Sequence, residues 1–170
     1  MNVALYGFMG VGKTVVGRAL AEMTGMTYVD LDEEIVESSG KTIPEIFEGG
    51  EEAFREIEKT VTRVIAARDG QVIACGGGTI LDADNLSSLK HNSRLVLLTA
   101  KPEIILKRVM AEGDVRPLLN GGDKLQRIRS LLEARNLAYI QAAELILDTS
   151  RMTPEEVAEK ILESMREEAG

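Results

Sequence analysis

Eight residues near the start of the chain, Gly7-Phe8-Met9-Gly10-Val11-Gly12-Lys13-Thr14, concentrate more chemistry than any other stretch. Their spacing fits G-x-x-x-x-G-K-[ST]. In that pattern the glycines let the backbone bend until successive N–H groups point inward, and a following helix adds the positive end of its dipole. The lysine reaches the β- and γ-phosphates, and the hydroxyl suits magnesium. Gly10, Val11, Gly12, Lys13, Thr14 and Val15 are therefore candidates for holding a nucleoside triphosphate, with Thr14 as a metal ligand. The motif is silent about what receives the phosphate.

Other residues address the acceptor. Asp30-Leu31-Asp32 follows an apolar run, and positions two apart in extended chain point the same way. Asp30 can then face magnesium through water, while Asp32 orients an acceptor hydroxyl and takes its proton. Taken alone, the pair also reads as a helix N-cap with a solvated neighbour. The stretch Ala74-Cys75-Gly76-Gly77-Gly78 lacks the carboxylate that many nucleotide hydrolases place there, and its glycines suggest close approach of backbone to a ligand. No guanine-reading N-K-x-D segment is present. Arg55, Arg116 and Arg135 each read singly as surface residues. Together they suit a small anionic acceptor, because guanidinium forks onto carboxylates and phosphates, and an arginine in a closing loop can stabilise a transferring phosphoryl group.

These residues need elements to position them. Short, continuously apolar runs at Val3–Tyr6, Thr27–Asp30, Val72–Cys75, Arg94–Thr99 and Glu144–Leu147 read as strands buried on both faces. Helical periodicity falls at Lys13–Met23, Glu52–Arg68, Ala83–Leu89, Pro102–Ala111, Lys124–Ala142 and Pro154–Glu167. The alternation predicts one three-layer α/β domain over 1–170 with a largely parallel sheet. Thr153-Pro154-Glu155-Glu156 forms a capping box, and Gly25 sits where a helix C-cap is expected. Two segments break the rhythm: a broken helical insertion at about 32–60, expected to bind the acceptor, and a Gly-rich charged loop at about 112–123, expected to act as a lid.

Composition narrows the partners. The chain has 170 residues, 44% apolar and 28% charged, with no Trp, so its core rests on aliphatic side chains. A net charge of −8 argues against nucleic acid and against an anionic membrane surface. One Cys excludes an internal disulfide framework, and no run approaches the length of a membrane span. We expect a cytoplasmic monomer. Anionic ligands on an acidic chain require local compensation, so Lys13, Arg55, Arg108, Arg116 and Arg135 are expected to form a positive cleft with magnesium.

In combination these motifs resemble the shikimate kinase family. The phosphate loop, Asp30-Leu31-Asp32, Phe54-Arg55-Glu56-Ile57-Glu58, Gly76-Gly77-Gly78, Arg116-Pro117-Leu118-Leu119 and Arg135 with Tyr139 occur in order, over about residues 3–165. The resemblance implies a phosphate-loop fold of the nucleoside monophosphate kinase type, with strand order 2-3-1-4-5. It implies magnesium-dependent transfer from ATP to the 3-hydroxyl of shikimate. It places Asp32, Arg55, Gly77, Gly78 and Arg135 on shikimate, with Lys13, Asp32 and Arg116 in catalysis. Arg108 would lie near adenine, and a further nucleotide contact of the family aligns with Arg151 or with Met152. Leu137-Ala138 departs from the family's Pro and large residue. Alternatives are another small-molecule kinase of this fold, such as a gluconate kinase, and a nucleotide-binding module without turnover.

Overall fold

In the computed structural model, residues 1–112 and 122–170 are described. The apolar runs form a five-stranded sheet: β1 (Asn2–Tyr6), β2 (Thr27–Asp30), β3 (Gln71–Ala74), β4 (Ser93–Thr99) and β5 (Leu145–Asp148). Its order is β2-β3-β1-β4-β5 and every pairing is parallel, with Val3 opposite both Val72 and Arg94. The strand order implied by the resemblance is the observed one. β1 is buried along its whole length because it lies at the centre with helices on both faces.

Alternate residues of each strand feed two cores. Val3, Leu5, Val72, Val96 and Leu98 pack under α1 (Lys13–Thr24), α6 (Pro102–Ala111) and α8 (Pro154–Ala169). Ala4, Tyr6, Ile73, Leu95 and Leu97 face α4 (Glu51–Ala66), α5 (Ala83–Asn92) and the end of α7 (Lys124–Ala142). Helix ends follow the sequence signals. Gly25 caps α1 in the left-handed conformation, and Thr153 and Glu156 form the capping box of α8. Arg94, almost fully buried in β4, pairs with Glu168 and bonds the Ser164 hydroxyl at 2.6 Å, which ties α8 to the sheet.

The segment after β2 differs in detail from the expectation. The chain enters α2 (Leu31–Ser39) directly from the strand, and Gly40 ends it. Thr42 then caps a short α3 (Ile43–Glu48), with Pro44 in its first turn. Gly49-Gly50 separates α3 from α4. His91 is exposed in the last turn of α5.

Gly7 links this frame to the loop that follows β1. Its φ is 146°, and a Cβ there would lie 2.3 Å from the Leu98 carbonyl oxygen of the neighbouring strand. Backbone cannot yield at the sheet centre. Gly7→Ala should therefore cost on the order of 2–4 kcal/mol from overpacking and backbone strain. Urea unfolding measures this directly, and an unchanged midpoint would contradict the account.

Candidate functional site

The functional side chains converge where ligands bind open α/β sheets, at the carboxyl ends of the strands. The loop after β1 carries three glycines in positive φ, Gly7, Gly10 and Gly12, which only glycine adopts without strain. Gly12 precedes α1 without a side-chain cap, so the first N–H groups of that helix are left to the loop. The Lys13 ammonium bends back and donates to the Gly7 carbonyl at 2.6 Å.

A cavity of about 410 Å³ opens in front of this loop. Gly10, Gly12, Lys13, Thr14 and Val15 form one wall. Asp30, Asp32, Arg55, Gly77, Gly78 and Arg135 form the others, so one cavity collects most of the residues singled out in the sequence. Phe47 and Phe54 add an apolar side, their rings stacked 4.7 Å apart.

Of the two readings of the aspartate pair, the helix N-cap is the observed one and the extended chain is not. Asp30 ends β2, and Asp32 already stands in the first turn of α2. The Asp30 carboxylate is the N-cap, accepting from the Asp32 and Glu33 amides at 2.9 and 3.2 Å through one oxygen. Its other oxygen is 3.5 Å from the Tyr28 hydroxyl. A capping carboxylate with one oxygen left over suits a water-mediated role toward a cation. Thr14 opens on the same cavity. Among the described residues no group of three or more His, Cys, Asp or Glu could hold a metal by itself. Magnesium keeps waters and binds through one or two protein oxygens plus phosphates, and the Thr14 hydroxyl and Asp30 carboxylate on this cavity suit that donor set.

Arg55 is fixed from behind. Its Nη1 donates to Glu58 at 2.9 Å, one turn further along α4, and its guanidinium lies 5.2 Å from the Phe54 ring centre. Glu58 is 1% exposed, and its second oxygen accepts from the Thr79 hydroxyl at 3.1 Å. The Thr79 carbonyl in turn accepts from Asn85 at 3.1 Å. Sequence reading named Arg55 as a site residue and left Glu58 as part of a motif. The i, i+3 spacing on one helix was the signal that could have assigned it a role.

The three glycines after β3 take ordinary negative φ, so their backbone conformation does not require glycine. Space does. A Cβ at Gly76 would sit 3.2 Å from an Asp32 carboxylate oxygen, and one at Gly77 would sit 3.2 Å from Arg135 Nη1. One at Gly78 would sit 2.7 Å from Arg55 Nη2. Two guanidiniums thus occupy the positions where side chains would project. Arg135 also stacks over Phe8, 5.7 Å from the ring centre. Cys75, beside them, is inert: burial pushes its thiol up to about 12.

A second cavity of about 340 Å³ adjoins the first, sharing Gly10, Gly12, Val15 and Glu112. Val11, Val16, Met152, Pro154 and Val157 give it apolar walls suited to a flat base. Arg108 holds its floor together, donating to the Gly10 carbonyl at 3.2 Å and to the Thr149 carbonyl at 2.8 Å. Thr149 donates to the Val11 carbonyl at 2.7 Å. The structure brings Met152 to this wall, whereas Arg151 is exposed and is not among its lining residues. Arg116, with the central part of the expected lid, lies outside the described residues.

The expectation of a positive cleft holds only in part. Among the described residues lining the first cavity, Lys13, Arg55 and Arg135 face four carboxylates: Asp30, Asp32, Glu58 and Glu112. Favourable potential for an anion there depends on backbone donors and an added cation as much as on basic side chains.

A parallel sheet ordered 2-3-1-4-5, a phosphate loop after its central strand and an arginine-bearing cavity opposite define a phosphate-loop kinase. Comparison with known proteins specifies which. The family model described as shikimate kinase matches residues 9–166. A shikimate kinase from Symbiobacterium thermophilum is 42% identical over 98% of this chain and 97% of its own length. One from Thermus thermophilus is 43% identical over 96% and 89%. The solved shikimate kinase from Acinetobacter baumannii, in complex with shikimate, superposes with a TM-score of 0.91 at 38% identity, over 98% and 93% of the two chains. The chain belongs to the shikimate kinase family and is an ATP-dependent kinase. No helix among the described residues is long and apolar enough to cross a membrane.

Glu58→Gln keeps the shape of the buried side chain and removes its charge. Arg55 then loses a charge-assisted bond, and the KM for the acceptor should rise about tenfold with the KM for nucleotide within about twofold. Steady-state kinetics with each substrate varied in turn separates the two. An unchanged acceptor KM would mean that other contacts fix Arg55.

Proposed function

We propose that the chain transfers the γ-phosphoryl group of ATP to the 3-hydroxyl of shikimate, giving shikimate 3-phosphate and ADP. The observation that carries this reading is the facing of Lys13 and Asp32 in one cavity with two guanidiniums packed against a glycine turn. Arg55 and Arg135 suit the carboxylate of a small ring acid, and Phe47 and Phe54 offer an apolar side to the ring.

Each residue has a defined task in this mechanism. The loop amides and the N-terminus of α1 hold the phosphate oxygens. Lys13 exchanges its bond to Gly7 for the β- and γ-phosphates and neutralises charge as the γ-group departs. Asp32 orients the acceptor hydroxyl and accepts its proton. Thr14 and Asp30, the latter through water, would hold magnesium, which would supply positive charge against the phosphates. The cavity flanked by Val15, Val16 and Met152, with Arg108 beneath, takes the adenine. Residues 32–60 serve as the acceptor-binding insertion. On the sequence alone, about residues 112–123 are given the lid role and Arg116 the contact with the transferring phosphoryl group, since 113–121 lie outside the described residues. The reading takes the enzyme as a cytoplasmic monomer.

A coupled assay of ADP release with shikimate, ATP and magnesium tests the proposal. Asp32→Asn and Arg55→Ala should each lower turnover at least about a hundredfold while ATP still binds. Preference for gluconate or a nucleoside monophosphate over shikimate would replace this reading, and wild-type turnover in either variant would displace the residue roles.

A further inference from the structure

Tyr139 lies in the last turns of α7, and neither the phosphate chemistry nor the direct carboxylate anchor uses it. Its side chain is 3% exposed, and its hydroxyl donates to the carbonyl of Gly77, a residue that lines the acceptor cavity. Its other polar neighbour is the guanidinium of Arg135, one turn earlier on the same helix. Arg135 Nη1 stands 3.2 Å from the point where a Cβ at Gly77 would project. The phenol therefore links the Gly77 carbonyl to the guanidinium.

This link is anchored toward the nucleotide side as well. The Tyr139 ring meets Tyr6 edge-on, with centroids 5.7 Å apart. Tyr6 is the last residue of β1, immediately before Gly7, and its hydroxyl donates to the Tyr139 carbonyl at 2.5 Å. That carbonyl needs an outside donor, because the Ala143 amide that would close the last helical turn bonds Ile140 instead. Burial raises the pKa of both phenols, so both stay protonated donors at neutral pH.

We infer that Tyr139 is a positioning residue for the acceptor carboxylate: its hydroxyl holds the Gly77 carbonyl and so leaves the Arg135 guanidinium for the substrate. Tyr6 ties this arrangement to the strand that enters the phosphate loop. Without the hydroxyl, the Gly77 carbonyl loses its donor. Arg135, whose guanidinium stands beside Gly77 and bonds the same phenol, is the nearby donor that would take its place, and bonding there turns it away from the carboxylate. The identity of the acceptor rests on the function proposed above.

Tyr139→Phe removes the hydroxyl and keeps the ring against Tyr6. In steady-state kinetics the variant should show a shikimate KM raised about tenfold, with most of the loss in that constant rather than in kcat or the KM for ATP. A double-mutant cycle supplies the second readout. Tyr139→Phe should add little to the shikimate KM once Arg135→Lys is in place, because both act on one contact. The penalty should also vanish for a shikimate analogue with a neutral carboxamide. An unchanged shikimate KM, additive effects in the cycle, or equal losses in both KM values and in melting temperature would overturn the inference. No turnover of shikimate by the wild-type protein would overturn the proposed function and this inference with it. Wild-type turnover with an indifferent variant would overturn the inference alone.

Discussion

Glu58 is the interaction around which the acceptor side is built. A carboxylate removed from water loses several kcal/mol of hydration, which it recovers only through well-formed bonds to both oxygens. Here one oxygen takes Arg55 and the other takes Thr79. Thr79 begins the short 3-10 turn Thr79–Leu81 after the glycines, and its carbonyl is held by Asn85 of α5. One buried charge therefore fixes α4, the glycine turn and α5 relative to one another. Arg55 is ordered before any ligand arrives, so that part of the ordering cost is met in folding rather than in binding.

Charge on this chain works at two scales. The acidic excess lies largely on outer helix faces, and α8 alone carries Glu155, Glu156, Glu159, Glu163, Glu167 and Glu168. Such charges are screened beyond about 8 Å at physiological salt. Inside the cavity the cations and carboxylates nearly offset one another, so the favourable terms for phosphate are oriented rather than net: amides aimed inward, a helix end, and a lysine. This is a polar, pre-arranged environment and not a basic pit. It explains how an acidic protein serves two anionic ligands without changing the sign of its surface.

Much of this architecture was legible in the amino-acid order. Strands buried on both faces have to be continuously apolar, and a phosphate loop has to place glycines at positive φ, so β1, its loop and α1 could be read directly. The capping box at Thr153 was equally local. What escaped were features set by packing across the chain. Asp30 and Asp32 are two apart in sequence, a spacing that fits both extended chain and a helix N-cap, and only the fold selects the cap. Glu58 stands in a recognisable spacing, yet its burial depends on α5 and the glycine turn folding over it. Met152 and Arg151 are neighbours, and only the path of the chain after β5 decides which one meets the nucleotide wall. Residue type announced the chemistry, while the assignment of roles needed the third dimension.

The contact between Gly78 and Arg55 has a consequence for how this site can change over generations. The guanidinium fills the space that a side chain at position 78 would need. Any substitution at 78 must displace the arginine, and loss of the arginine alone strands Glu58 in the interior with one partner. A single change at 55 or 78 therefore shifts the anchor before a replacement for it is in place. Positions 55, 58 and 78 are therefore expected to be inherited as a block, and an acceptor of different shape is reached more readily by altering the exposed ring of Phe47 than by rebuilding the anchor.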